Sequence, residues 1–543
     1  MAEGADRRWR YVPDELRGRY DDEFASIPNA VRVTARRHPA LEAVVDGDMR
    51  LTFAELESAM VDAVRGMIAV GVRPGTRVGL LAPNCARWIV AALGILGAGG
   101  VLVTLNTRFK GPEAAYILRK SGADVLVTVT DFLDNDYVGM IRAAEPTLAA
   151  LNRVVIISGD AAPETQDWTS FLELGRGVGA DAAHAAIDAV TADSLSDIMF
   201  TSGTTGHPKG VMLSHGQSLR AHGWLTKVMG FRPGDRFLIV PPFFHTFGYK
   251  AGWMASVLHG VASIPQRVLA VDQLLKTIAD EKVSILLGPP TLFQDLLNAP
   301  NRGDYDLSSL RVACASAAVV APELIARIRD ELRVDNIVSA YGLTEATSLV
   351  TTTIPGVDDL DDVTTTVGRA ALDVELRMVD DAGNDVAPGC LGELWVRGYT
   401  VMQGYWDDPG KTAEAITPDG WLRTGDFVVM DDRGYVRIVD RKKDMVIVGG
   451  FNVYPAEVER ILGAHPDVGE IAVVGMHDDR MGEVPVAFVV PKQGLTLAED
   501  DFRRWAQTQM ANFKVPRRVI FVEALPRNAS MKVLKNELRE RLR

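Results

Sequence analysis

Residues 199–210 read Met-Phe-Thr-Ser-Gly-Thr-Thr-Gly-His-Pro-Lys-Gly, with three glycines, four small hydroxyl residues and one lysine in twelve positions. The apolar Ile198-Met199-Phe200 just before the loop reads as the end of a buried strand, and Val211-Met212-Leu213 starts a new apolar run after it. Between them the Gly/Ser/Thr loop leaves backbone N–H groups bare and close together. Such a loop is a nest for anions, in which peptide dipoles and hydroxyls converge on phosphate oxygens and Lys209 adds a full charge. It is not a Walker A loop, because the Gly-Lys-[Ser/Thr] ending is missing. An ordinary flexible turn is the bland alternative for a Ser/Thr/Gly cluster; the Pro-Lys-Gly ending and the apolar run behind it argue for phosphate.

At 543 residues the chain is too long for one core, so two or more domains are expected. Its 47% hydrophobic content supports packed interiors. A net charge of −13 without a long basic run argues against nucleic acid as partner. Cys85, Cys314 and Cys390 lack metal-ligand spacing and point to a reducing, cytoplasmic setting. The charged N-terminus has no apolar core of a signal peptide. Residues 88–105 carry no charge over eighteen positions, near the length of a membrane span. Gly97, Gly99 and Gly100 break that run, so we read it as a buried helix, a turn and a buried strand.

The pattern along the chain is α/β, with strands alternating with helices and largely parallel sheets. A polar lead-in occupies residues 1–25. An amphipathic helix is expected over 28–38, a hairpin over 43–53, and strand, helix, strand over 77–105. The Ala/Gly/Asp-rich residues 160–193 read as a surface connection. A strand over 237–240 delivers His245 at its carboxyl end, where open α/β sheets bind ligands. A second strand ends in the small residues Ala315-Ser316-Ala317-Ala318. Three polar signatures follow: Tyr341-Gly342-Leu343-Thr344-Glu345, then Trp421-Leu422-Arg423-Thr424-Gly425-Asp426, and near the end Pro526-Arg527 with Lys532. The charged cluster Asp440-Arg441-Lys442-Lys443-Asp444 between apolar strands is linker-like in composition and marks a boundary.

In this order, these stretches resemble the signatures of the adenylate-forming superfamily, which includes acyl-CoA and aryl-CoA ligases, luciferases and peptide-synthetase adenylation domains. The likeness runs from about residue 27 to the end. It departs from the family pattern at Ala317-Ala318-Val319-Val320, where relatives carry a Gly-Ala-Ala-Pro-like loop, and at Met531, where they carry glycine. The resemblance implies a large N-terminal adenylation domain of parallel-type sheets sandwiched with helices (26–440) and a small mobile α+β domain (441–543).

It also implies roles. ATP would be held by Thr201, Ser202, Gly203, Thr204, Thr205, Gly206 and Lys209, by Ala317, Tyr341, Gly342 and Thr344, and by Asp426 and Arg441. Glu345 would hold Mg2+, which prefers one or two carboxylates plus phosphate and water oxygens. Asp426 would accept both ribose hydroxyls. Lys532 would bridge substrate carboxylate and α-phosphate, joining Thr204, Lys209, Glu345 and His245 as the catalytic set. Lys443 would be the hinge, and Gly449, Gly450 and Phe451 would line the path of CoA. His245, Lys250, Gly252 and Ser316 would face the acyl group. Lys250 reads either as a solvated lysine or as a partner for a second polar group on the substrate.

The implied reaction is that of an AMP-forming acyl-CoA synthetase using ATP, Mg2+, CoA and a carboxylic acid. The acid is expected to be a fatty acid or a bulky catabolic carboxylate such as a steroid-derived propionate. His245, where amino-acid-activating relatives carry an aspartate, argues against an amino-acid substrate. The alternative is a stand-alone enzyme that loads an acyl group onto a carrier protein. No nucleic acid and no integral membrane segment are expected, and a homodimer is compatible with the family.

Overall fold

The computed structural model describes residues 12–542 except 21, 147–150, 152, 202–207, 317–319, 321, 442–443, 449–450, 479, 496, 511 and 529–531, and it leaves out the side chains of 440, 441, 451 and 452. Two large sheets dominate. One has eight strands, in the spatial order Gly404–Tyr405, Lys209–Ser214, Leu195–Thr201, Val101–Thr104, Arg77–Leu81, Val125–Val129, Arg153–Ser158 and Gln166–Asp167. The other has seven: Asn336–Val338, Val312–Ala315, Ile285–Gly288, Arg236–Ile239, Ala262–Pro265, Glu42–Asp46 and Met49–Thr52.

Most neighbours in both sheets run parallel, as expected, with helices as the crossovers. One exception is the hairpin of Glu42–Asp46 with Met49–Thr52, where one was read over 43–53; the others flank the phosphate-loop signature. Leu195–Thr201 and Lys209–Ser214 are antiparallel, and Gly404–Tyr405 pairs antiparallel to the second of them. Thr201 and Lys209 therefore face each other on paired strands near one edge of the sheet.

The uncharged run resolves as read from its glycines. Helix Ala86–Gly97 and strand Val101–Thr104 are buried almost throughout, and Gly99 turns between them at a φ of +76°. No described helix is long and apolar enough to cross a membrane. The helix read over 28–38 spans Ile27–Arg37 and is capped by Ser26.

Two stretches depart from the sequence reading. Within residues 160–193 lie a short strand, Gln166–Asp167, and two helices, Trp168–Gly175 and Ala180–Ala189. Phe171 and Ile187 of these helices reach the core, a few apolar anchors among many small and polar residues. The lead-in is also anchored, since Val12 and Phe24 are buried and the Trp224 indole donates to the Leu16 carbonyl at 2.7 Å.

The largest buried cluster draws on residues between Val12 and Val436, whereas two further clusters lie wholly within 446–542. The latter surround an antiparallel pair, Val468–Asp478 with Gly482–Pro491, packed by helices Pro455–Gly463 and Glu499–Gln509.

Candidate active site

The parallel strands of the seven-stranded sheet end along one edge, and the candidate residues follow directly from those ends. His245 follows Arg236–Ile239, Ser316 follows Val312–Ala315, and Tyr341 follows Asn336–Val338. The second sheet contributes Thr201 at the end of one strand and Lys209 at the start of the next.

The residues from the sequence signatures meet there. The Thr201 hydroxyl lies 3.4 Å from Glu345 Oε1, which joins the phosphate loop to the Tyr-Gly-Leu-Thr-Glu turn. The Tyr405 hydroxyl donates to the same oxygen at 3.0 Å, and the Lys209 ammonium sits over the Tyr405 ring at 4.2 Å from its centroid. Burial and the neighbouring Glu345 carboxylate push the Tyr405 phenol well above its ordinary range, so it stays the protonated donor.

The Glu345 turn is held from several sides. Thr347 and Ser348 adopt positive φ values of 50° and 56°, unusual for non-glycine residues and most of all for a β-branched one. The Thr347 carbonyl accepts from His222 Nε2 at 2.8 Å, its hydroxyl donates to the Thr400 carbonyl at 2.7 Å, and Ser348 hydrogen-bonds Thr246 next to His245. Gly342 has no alternative. A Cβ there would lie 2.1 Å from the Ser348 carbonyl carbon.

Tyr341 donates its hydroxyl to Asp426 Oδ2 at 2.5 Å, and Asp426 is 2% exposed. The residues expected to touch adenine and ribose are thus bonded to each other. Asp426 also faces Arg441 across the strand pair, although the Arg441 side chain lies outside the described part.

The Asn528 side chain accepts from the Lys532 amide at 2.9 Å. Lys532 lies close enough to His245 for its charge to act on the imidazole. Burial, then the Lys532 charge, lower the His245 pKa to about 4, so the imidazole is neutral at pH 7.

The acyl-facing set is partly revised. Gly252 lies at a kink in the wide helical turn Tyr249–Met254, with its position against Ile239. The Ser316 hydroxyl donates to the Ala340 carbonyl at 3.0 Å. Lys250 does not offer its charge to a substrate and is not a solvated lysine. It is 0% exposed, with its ammonium 3.0 Å from Asp197 Oδ2 and 2.6 Å from the Ser218 hydroxyl. Burial pulls the Lys250 pKa down and pushes the Asp197 pKa up, while each partner's charge opposes the shift. A lysine whose apolar stem is packed in a core needs such a partner, and the pair explains its burial.

Ser202, Gly203, Thr204, Thr205, Gly206, Ala317, Lys443, Gly449 and Gly450 lie outside the described residues, as does the side chain of Phe451. The sequence reading missed Tyr405, Asp197 and Ser218. Nothing local marks them, because their partners lie far away in the chain.

With this geometry in hand, comparison with known proteins is decisive. The family described as AMP-binding enzyme matches residues 31–406, and its C-terminal domain matches 457–532. The chain belongs to the AMP-binding enzymes, on their acyl-CoA ligase branch. Among the relatives of this AMP-binding enzyme is the 3-[(3aS,4S,7aS)-7a-methyl-1,5-dioxo-octahydro-1H-inden-4-yl]propanoyl:CoA ligase of Rhodococcus jostii, 47% identical over 96% of this chain and 99% of the relative. Solved structures of similar shape include the anthranilate CoA ligase AuaEII with anthranoyl-AMP, at a TM-score of 0.85 and 27% identity over 96% and 98% of the two chains. ATP-bound MatB from Rhodopseudomonas palustris has a TM-score of 0.81 at 29% identity, covering 94% and 98%.

Proposed function

We propose that this AMP-forming acyl-CoA ligase activates a bulky, ring-bearing propionate-type carboxylate, and that the residues named above perform the two half-reactions. In the first, a carboxylate oxygen attacks the α-phosphorus of ATP, an acyl-phosphate bond forms and pyrophosphate leaves. Negative charge collects on the phosphoryl oxygens. Catalysis is then chiefly electrostatic and positional. Lys209 faces the departing phosphates, Lys532 steers the carboxylate, and Asp426, oriented by Tyr341, accepts from the ribose. A neutral His245 adds apolar wall beside the carboxylate without competing for it.

The donor set also fits Mg2+. Among the described residues no cluster of three or more metal-binding side chains exists, and Glu345 supplies a single carboxylate, as suits an ion that keeps phosphate and water ligands. When bound, the ion would neutralise phosphate charge. In the second half-reaction the CoA sulfur attacks the acyl carbonyl, AMP leaves and the thiol proton passes to solvent. We assign this step to a rotated arrangement of a 441–543 domain about Lys443, with Gly449, Gly450 and Phe451 along the thiol's path. The separate apolar clusters on either side of 440 support that division.

The observation that carries the reading is the convergence of Thr201, Lys209, Glu345, Tyr341, Asp426 and Lys532 on one edge. The substrate class rests on the 47% identical relative. The test is a panel of fatty acids, benzoates, cinnamates and bicyclic propionates, assayed with ATP, Mg2+ and CoA. We expect the bicyclic propionates to give equal amounts of AMP and thioester with the highest kcat/KM. Preference for a straight-chain acid would overturn the substrate class. Pyrophosphate release without thioester would point instead to loading of a carrier protein.

A further inference from the structure

Lys209 and Glu345 carry opposite charges and contact the same side chain, yet no ion pair joins them among the described residues. Tyr405 stands between them. Its ring faces the ammonium at 4.2 Å, and its hydroxyl takes Glu345 Oε1 at 3.0 Å. The strand pairing explains why. Tyr405 lies opposite Val211, and Lys209, two residues along, shares Val211's face of the sheet. The lysine is therefore Tyr405's diagonal neighbour, within reach of an aromatic ring.

The ring is also firmly placed. Tyr405 is 5% exposed, its amide donates to the Thr412 hydroxyl at 2.9 Å, and the next amide, Trp406, donates to the Gly210 carbonyl at 2.7 Å. The same segment reaches the Glu345 backbone, whose carbonyl accepts from the Met402 amide at 2.9 Å. The short segment 402–405 thus holds Glu345 through both its backbone and its side chain, and the cation through an aromatic face.

We propose that Tyr405 is a positioning residue that keeps Lys209 and Glu345 from collapsing into a salt bridge, so that the ammonium stays open to phosphate and the carboxylate to the cation that accompanies ATP. A direct pair would cancel both charges before a nucleotide arrived. The ring satisfies the ammonium weakly. The hydroxyl leaves Oε2 open, since among the described residues both hydrogen bonds to this carboxylate fall on Oε1. This inference rests on the adenylation reading above.

The test is calorimetric binding of ATP to the full chain across a series of Mg2+ concentrations, with the thermal midpoint followed alongside. Tyr405→Phe keeps the ring and loses the hydroxyl. It should raise the Mg2+ concentration for half-maximal ATP binding about tenfold, the effect of one hydrogen bond to a charged group. Its ATP affinity at saturating Mg2+ should stay within about twofold of wild type. Tyr405→Leu removes both contacts and should also weaken binding at saturating Mg2+, as Lys209 turns to Glu345. In a Glu345→Gln background Tyr405→Phe should change nothing further. If Tyr405→Phe has the Mg2+ dependence of the wild type, or if its effect persists undiminished beside Glu345→Gln, the positioning role is wrong while adenylation stands. If the wild type binds no ATP at any Mg2+ concentration, both readings fall.

Discussion

Two lysine–carboxylate arrangements each draw one member from the eight-stranded sheet, Asp197 in one and Lys209 in the other, and they do opposite things with the same chemistry. Lys250 and Asp197 close on each other at 3.0 Å with neither side chain exposed. Lys209 and Glu345 are held apart by an intervening tyrosine at the sheet's edge. The first pair is structural, since its charges are consumed inside the core and its partners come from strand, helix and turn. The second keeps its charges available. In this fold the lesson is that a lysine's role depends on whether its carboxylate can reach it, and neighbouring strand register decides that.

The sharpest way to break the contrast is to remove one member of each pair. Lys250→Met leaves Asp197 buried with the Ser196 hydroxyl but without its cation, and should cost about 3–5 kcal/mol of stability in denaturant unfolding. Lys250→Met together with Asp197→Leu should recover most of that loss, because well-packed apolar residues replace buried ion pairs at little cost. Lys209→Met should do the reverse. Stability should move by less than about 0.5 kcal/mol, as for surface positions. Adenylation should fall about 10²–10³-fold in kcat, the scale of losing one preorganised electrostatic contact. Equal stability losses for the two lysine variants would erase the distinction.

A smaller effect sharpens it on the nucleotide side. Tyr341→Phe removes the hydroxyl that orients Asp426 and should raise the KM for ATP about tenfold with kcat little changed, from the usual strength of a hydrogen bond to a charged group. Unchanged KM would take Tyr341 out of the ribose arrangement.

A further effect is graded with pH. His215 and His222, both beside Lys250, have their pKa lowered to about 3 by burial, then by the Lys250 charge. A folded pKa below the unfolded value near 6.5 means that the unfolded chain binds more protons between those limits. Stability should therefore be full above pH 6.5 and fall as pH drops toward 3, with each histidine contributing a slope of up to about 1.4 kcal/mol per pH unit. Denaturant midpoints from pH 7 to pH 4 check this, and His222→Gln should flatten the curve.

How much the sequence disclosed follows from the range of each signal. The phosphate loop, the Tyr-Gly-Leu-Thr-Glu turn and the uncharged run at 88–105 are local patterns, and each is spelled out within about twenty residues. The strands were legible because buried parallel strands read as short apolar runs bounded by turns. The two helices within 160–193 were not, because one is only eight residues long and the other, rich in alanine and aspartate, has the composition of a connection, with few large core anchors beyond Phe171 and Ile187. Lys250 was misread because its partner Asp197 sits on a strand some fifty residues earlier, and an isolated lysine gives no sign of what it will face. Tyr405 was silent for the same reason. Its two partners come from separate earlier segments, and only the register of an edge strand brings them to one ring. Local chemistry was readable, whereas cross-strand electrostatics required the fold.

The central claim is that this site joins a carboxylate to AMP before any thiol takes part. The direct measurement is exchange of labelled pyrophosphate into ATP in the absence of CoA, with a bicyclic propionate as the acid, in the wild type and in Lys532→Ala. The account predicts exchange that depends on the acid, that is lost in Lys532→Ala, and that gives way to AMP and thioester when CoA is added. Exchange that needs CoA, or that proceeds without an acid, would contradict it.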